Sequence, residues 1–430
     1  MTITPDAIAN HKEQRDVFIT LSLALYIFSN YWIRIPKLLI VGSLVLYFFL
    51  GLTFLKLILR QTPLRITPYS VGYSMFGLVG AFSYFYALNG EYVFNDLYLI
   101  LVSLILTFSY IQYVRNYSSF VRIFFFYAYL PAFLALYLFL SGTLQNPGQR
   151  LGEYEFGNAN NLATIMMVTE CCLFWFLIYG RRRYLVFNIG LASIFLYIMA
   201  LSGGRKYLLV PFVFLFLILL FEYGKRNLPK LVLFLMIFAL VLLAGVWALI
   251  NIPILYQQVG TRFAGLLSFF SEGVESTDSS TLIRYIMISK GWRWFLQEPI
   301  HGYGLNNFRV LIADLFGTGE GTYAHNNYIE LMVDLGLAGI FIFYLIYFYI
   351  IARLVRIQDD ATGVRNFFLA FMLALLLFEF GAVTYQLYII QIFVALASAY
   401  ISLHQRSSKA PLAKSINIRL PKPTSPQAYS

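Results

Sequence analysis

A succession of apolar runs, each about long enough to cross a bilayer, constrains this chain more than any single motif. A spanning helix takes roughly 20 predominantly apolar residues. Runs of about that length lie at 17–33, 38–59, 71–88, 94–114, 123–141, 159–179, 184–201, 207–223, 231–250, 328–352, 366–385 and 387–403, separated by charged or Gly/Pro-rich breaks. Lipid offers the backbone no hydrogen bonds, so runs of this kind close their own as helices. Composition points the same way: 60% hydrophobic and 12% charged residues, with a mean hydropathy of +0.72, cannot describe a soluble globule with a wetted surface. The expected fold is all-α and integral to the membrane, with about twelve transmembrane helices and one large extracytoplasmic loop between the ninth and the tenth. Its parts are an N-terminus at 1–16, nine helices over 17–250, the loop at 251–327, three helices over 328–403 and a tail at 404–430. The polar stretch 1–16 runs into an apolar helix with no small-residue cleavage site after it, so the first helix is expected to stay.

An even number of spans puts both termini on one side, and the excess of Lys and Arg in short loops selects the cytoplasm for them. That choice collects Lys56, Arg60, Arg65, Arg115, Arg122, Arg181, Arg182, Arg183, Lys230, Arg353, Arg356, Arg365 and Arg406 inside. The formal charge of +11 therefore reflects topology, and no nucleic-acid partner is expected. The two cysteines, Cys171 and Cys172, are adjacent in an apolar run. Neighbours on a helix do not face each other, which makes them core residues and not a redox pair or a metal site.

The long polar interruption between Asn251 and Tyr328 then stands out, because it gathers Arg262, Arg284, Lys290, Arg293, His301, Arg309 and His325. The other two histidines, His11 and His404, lie in polar termini. A helix is expected over 282–295, stopped by Glu298-Pro299-Ile300-His301-Gly302-Tyr303-Gly304. His325-Asn326-Asn327 follows at the entry of the next span, where Asn326, Glu330 and Asp334 share one stripe. Acidic groups in a membrane helix face a cavity or a partner, so Glu330 and Asp334 either line a site or pair internally with Arg or Lys. Two further outer turns carry charge against the rule: Ser202-Gly203-Gly204-Arg205-Lys206, and Arg150 ahead of Gly157-Asn158-Ala159-Asn160. Snorkelling to lipid phosphates is the bland account of Arg205 and Lys206; helix capping is that of Asn158 and Asn160.

Taken in order, Ser-Gly-Gly-Arg205, Arg284, Pro299-Ile300-His301-Gly302-Tyr303-Gly304, and His325-Asn326-Asn327-Tyr328 ahead of Leu335-Gly336-Leu337-Ala338-Gly339 resemble the bacterial O-antigen ligase and Wzy-type polysaccharide polymerase family. Gly157-Asn158-Ala159-Asn160 resembles that family's Gly-Asn-Pro-Asn element, with Ala159 in place of Pro. The resemblance implies a multi-pass glycosyltransferase of the bacterial plasma membrane, metal-independent and inverting, with both termini cytoplasmic and its active site outside. It would move glycan from undecaprenyl diphosphate to an acceptor hydroxyl and need no cofactor. Implied companions are the bilayer, and a chain-length regulator and flippase of the same pathway.

Elementary chemistry fits that picture. A diphosphate leaving group calls for fixed positive charge, and Arg donates to phosphate oxygens as a planar fork. An acceptor hydroxyl calls for a base or an orienting acceptor, a role suited to His. The expected catalytic residues are His325, Arg284 and Arg205. Expected at the substrate are Lys206, Arg150, Asn158, Asn160, Arg293, Gly302, Tyr303, Gly304, Asn326 and Glu330, the last also a substitute base. His301, in a turn, reads as a surface residue. The outer segments hold no clustered Asp, Glu or His suited to a divalent metal. A polymerase, joining one lipid-linked repeat unit to another, is favoured. A ligase passing the glycan to lipid A-core is the alternative, and a lipid-linked oligosaccharide flippase or a membrane scaffold would be of a different class.

Overall fold

The computed structural model describes residues 17–31, 39–145, 150–153, 156–224, 227–261, 279–317, 321–357 and 362–415. The expected N-terminal segment 1–16, Arg262 and the end of the tail at 416–430 lie outside the described residues. Among the described residues the chain is all helical, without strands. Helices α1 (Val17–Asn30), α2 (Leu39–Ile58), α3 (Pro68–Phe82), α4 (Gly90–Tyr113), α5 (Tyr117–Tyr129) and α6 (Pro131–Leu140) are followed by α7 (Ala159–Tyr179), α8 (Leu185–Leu201), α9 (Arg205–Tyr223) and α10 (Leu228–Asn251). Then come α11 (Ser279–Gln297), α12 (Phe308–Phe316), α13 (Asn327–Arg356), α14 (Val364–Phe378) and α15 (Tyr388–Ser415).

Polar side chains set where these helices begin. Thr67 caps α3 by accepting from the Ser70 amide, with Pro68 at the first helical position. Asn89, Asn116, Asn158, Asn227 and Asn326 cap α4, α5, α7, α10 and α13 in the same way. Each satisfies amides that a helix start leaves without partners. Nine described helices are long and apolar enough to cross a membrane, counting α5 and α6 as one helix divided at Pro131. The other three apolar runs form shorter helices. α1 passes through Tyr31 into residues outside the described set, α3 tightens into a single 3-10 turn at Ser83–Phe85, and α14 ends at Phe378 ahead of the buried Glu379. At the other extreme, only Leu231 of α10 is buried, so nearly all of that apolar surface faces lipid. α15 continues as helix to Ser415, past the expected start of the tail at 404.

The polar interruption is itself folded. The helix expected over 282–295 is α11, and α12 follows it. These two pack on the first turns of α13 around Met287, Phe295, Phe308, Ile312, Ala324, Ile329 and Val333, a small core separate from the main one. What joins the two bodies is a break in α13. Gly336 has φ +59° and ψ −156°, a conformation open essentially to glycine alone. The carbonyls of Val333 and Asp334 therefore accept from the amides of Tyr303 (3.0 Å) and Gly304 (2.8 Å), while Leu337 and Ala338 donate to Pro299 (2.8 Å) and Ile300 (3.3 Å). The two ladder bonds that α13 gives up are thus remade with the 299–304 turn, and buried backbone groups stay paired. The Asp334 carboxylate adds to this dock by accepting from the amides of Asn306 and Phe308, both at 2.7 Å, so a membrane helix caps the start of α12.

Candidate functional site

At the end of the bundle that carries α11 and α12, the helix starts of α7, α9 and α13 come together with basic side chains. Arg150 donates through Nε to the Ser202 carbonyl (2.8 Å) and through Nη2 to Asn160 Oδ1 (3.2 Å), tying the α8–α9 turn to the start of α7. Gly203 supplies that turn with φ +72°. Lys206, in the first turn of α9, donates Nζ to the Gly381 carbonyl in the α14–α15 connection. Its ammonium lies 5.0 Å from the centre of the Tyr207 ring and 5.5 Å from that of Phe378. The positive charges of Arg284, from α11, and of Arg150 both act on Lys206. Like charges held this close raise the energy of the site unless an anion is shared between them.

His325 completes the cluster. It has φ +55°, a left-handed conformation uncommon outside glycine and found at sites that over-determine it. Several contacts hold it there. The Ala324 amide donates to Glu330, Asn326 caps α13 through the amides of Tyr328 (3.0 Å) and Ile329 (3.1 Å), and the ring packs on Tyr323 at 4.2 Å between centres. Arg309 lies over the other side of this support, 5.9 Å from the Tyr323 ring. Its Nε donates to Asn306 Oδ1 at 2.7 Å. His325 Nδ1 is buried with no hydrogen-bond partner among the described residues. Burial first, then the charges of Lys206 and Arg284, push the imidazole down to about 3, so it carries no proton at neutral pH. An uncharged ring nitrogen among fixed cations can accept a proton or a hydrogen bond beside a bound anion.

The expected residues divide by position. Arg284 and Arg150 act on Lys206, Lys206 and Arg284 act on His325, and Arg205 opens α9 in the same turn as Lys206. Asn158, Asn160 and Asn326 face this end as caps or as the Arg150 partner. Glu330 is wholly buried and holds the Ala324 amide; Asp334 is spent on the α12 start, so both carboxylates bind backbone amides there. Gly302, Tyr303 and Gly304 serve the dock to α13: a Cβ at Gly302 would meet the Val333 carbonyl at 2.4 Å, and one at Gly304 would meet Ala87 at 2.5 Å. Arg293 is exposed, nine positions and half a helical rotation from Arg284 on α11, and does not join the cluster. His301 is exposed as expected, 3.6 Å from Glu298 and against Tyr86. Tyr207 and Tyr323 were not singled out by sequence for the site, because aromatic residues fill 19% of this chain and nothing local marks these two; Arg309 stands there only as one of several cations in the polar interruption. Among the described residues no group of His, Cys, Asp and Glu is arranged to hold a metal ion.

No curated protein matches the chain. A family model does: residues 190–344 match Wzy_C, described as O-antigen ligase. The matched stretch runs from α8 through the α8–α9 turn, α11, the 299–304 dock and His325 into α13, leaving Arg150 and the start of α7 ahead of it. The chain is a multi-span membrane protein whose residues 190–344 match the O-antigen ligase family model.

Proposed function

We propose that this protein is a polysaccharide polymerase. It transfers glycan from undecaprenyl diphosphate to the acceptor sugar of another lipid-linked repeat unit, on the outer face of the bacterial plasma membrane. The observation that carries the reading is the unprotonated His325, held in a left-handed conformation beside the mutually repelling Arg284, Lys206 and Arg150. The cations grip the diphosphate and stabilise the charge that grows on it as it leaves. The neutral imidazole takes the proton of the acceptor hydroxyl attacking the sugar from the opposite side, so the configuration inverts. Arg205 supports the same headgroup, and no metal is needed because arginines neutralise the leaving group.

Twelve crossings, with the loop at 251–327 outside, belong to this proposal. Contacts of the three shorter helices support it. α3 is bound near Val114 through Arg65 at one end and to Tyr303 through the Leu88 amide at the other. α14 touches Phe120 through Phe368 and Tyr328 through Phe380 just past its end. α1 reaches from Tyr113, at Thr20, to Tyr388, at Asn30. The match to a family described as O-antigen ligase supports a second reading, in which the enzyme is a ligase and the acceptor is lipid A-core.

A reconstituted assay with lipid-linked donor, free of nucleotide and added metal, tests the proposal. Wild type should form glycosidic bonds in the presence of chelator, and His325→Ala should lose roughly a hundred- to ten-thousand-fold in rate, the usual contribution of a general base. Chain growth on lipid-linked repeat units alone identifies the polymerase; a requirement for lipid A-core identifies the ligase. Near-normal transfer by the alanine variant would remove His325 as the base, and movement of the lipid across vesicles without bond formation would remove the enzyme.

A further inference from the structure

We infer that the opposite end of the bundle holds a second anion site, built to take the phosphate-bearing headgroup of an anionic phospholipid. A cavity of about 300 Å³ opens there between the start of α3, the end of α4 and the end of the spanning part of α15 (Tyr388–Arg406), and Arg65, Arg115 and Arg406 all line it, together with the hydroxyl residues Thr67 and Ser402. No carboxylate is among the described residues that line it. Arg65 is set in place from two sides: its guanidinium donates to the Val114 carbonyl, and its backbone exchanges hydrogen bonds with the Gln112 side chain at 3.0 and 2.7 Å. The charges of Lys56 and Arg115 also act on each other, so a fourth cation stands close by. Three arginines lining one cavity suit phosphate oxygens, which planar guanidinium forks bind in pairs.

The remaining walls choose between possible phosphates. Ile111, Val114 and Leu403 line the cavity beside the arginines, and Ile66, another lining residue, is 62% exposed. A free inorganic phosphate would be surrounded by apolar surface it cannot use and would fill little of the volume. A lipid headgroup places its phosphate on the arginines and its glycerol and first methylenes on the apolar walls. Basic pockets between spanning helices bind anionic headgroups in this way. The site is far from the His325 cluster in the fold, since α3 and α4 each run from one end to the other, and it does not depend on the proposed chemistry.

Native mass spectrometry of the intact, detergent-solubilised protein tests the inference. Phosphatidylglycerol and phosphatidylethanolamine are titrated against wild type, against Arg115→Gln combined with Arg406→Gln, and against Lys230→Gln. Lys230 is an exposed cation at the start of α10, outside the cavity. Wild type and Lys230→Gln should retain phosphatidylglycerol in preference to phosphatidylethanolamine, and the double variant should bind phosphatidylglycerol roughly thirtyfold more weakly. If the double variant does not accumulate, Arg406→Gln alone, at an exposed position, should show a loss of about fivefold. Equal retention of the two lipids by wild type, or undiminished binding by the variant, would overturn the site. A rise in melting temperature with inorganic phosphate, in wild type but not in the variant and without lipid preference, would overturn the phospholipid as its occupant.

Discussion

His325 has two properties that pull in different directions. Its low proton affinity, set by burial and by Lys206 and Arg284, keeps it ready to accept a proton at neutral pH but makes it a weak base in the free protein. Binding of an anionic diphosphate would correct this. Negative charge on the phosphates offsets the two cations, and an opposite charge nearby favours the protonated form of His. The imidazole should therefore become a stronger base only when the donor is in place. The sign of the pH effect follows: from a free-protein value of about 3, the acid limb of kcat, which reports the loaded enzyme, should lie at higher pH than the acid limb of kcat/KM, which reports the free enzyme. Both profiles, measured with lipid-linked donor between about pH 2.5 and about pH 8.5, decide it. Coincident limbs would mean that the charge of the donor does not reach His325. The sequence makes these residues legible because a cation or a histidine is conspicuous in a chain with only 12% charged residues. It does not show that Arg293 lies on the far face of α11, because the helix could be phased only once its packing partner was known.

At the scale of elements, the 299–304 turn and the break in α13 are one device. Pro299-Ile300-His301-Gly302-Tyr303-Gly304 and Leu335-Gly336-Leu337-Ala338-Gly339 can each be read as separate short motifs, and the first was expected at the substrate. In the structure the first supplies the backbone partners that the second gives up. A Cβ on Gly336 would meet the Ile300 carbonyl at 2.4 Å, and its conformation alone costs a non-glycine residue about 1–3 kcal/mol. Gly336→Ala should thus lower stability by at least about 3 kcal/mol and loosen α11 and α12 from α13 while leaving the distant helices intact. Thermal unfolding of the purified variant, with hydrogen exchange at Tyr303, Gly304, Leu337 and Ala338, measures both effects. Unchanged protection at those four amides would show that the exchange of hydrogen bonds does not hold the loop. Such pairing is not legible in sequence, where Gly336 is one of 29 glycines and the apolar run at 328–352 reads as an unbroken helix. The twelve apolar runs are legible because lipid demands them; that three give helices of only 14 or 15 residues depends on tertiary contacts at their ends.

For the whole molecule, the decisive feature is how charge is divided between the two ends of the helices. Arg150, Arg205, Lys206 and Arg284 belong to the end where α7 and α9 begin and where α11 docks. Lys56, Arg65, Arg115, Arg182, Lys230, Arg356 and Arg406 belong to the other, where α2, α4, α13 and the spanning part of α15 finish and α3, α5 and α10 begin. Basic residues in short loops are retained in the cytoplasm, so the proposed orientation turns the more basic end inward and the candidate site outward. The cations at the outer end are kept against that bias, as a site for an anionic substrate requires. Labelling by a membrane-impermeant maleimide on spheroplasts tests this orientation, with little background because Cys171 and Cys172 are both wholly buried. Thr322→Cys, in the segment leading to His325, should react from outside, whereas Arg182→Cys in the α7–α8 turn and Gln405→Cys in α15 should react only after the membrane is permeabilised. Labelling of Gln405→Cys from outside would make the number of crossings even between Thr322 and the tail, and protection of Thr322→Cys would place the cationic cluster on the cytoplasmic face, where a donor presented in the outer leaflet could not reach His325.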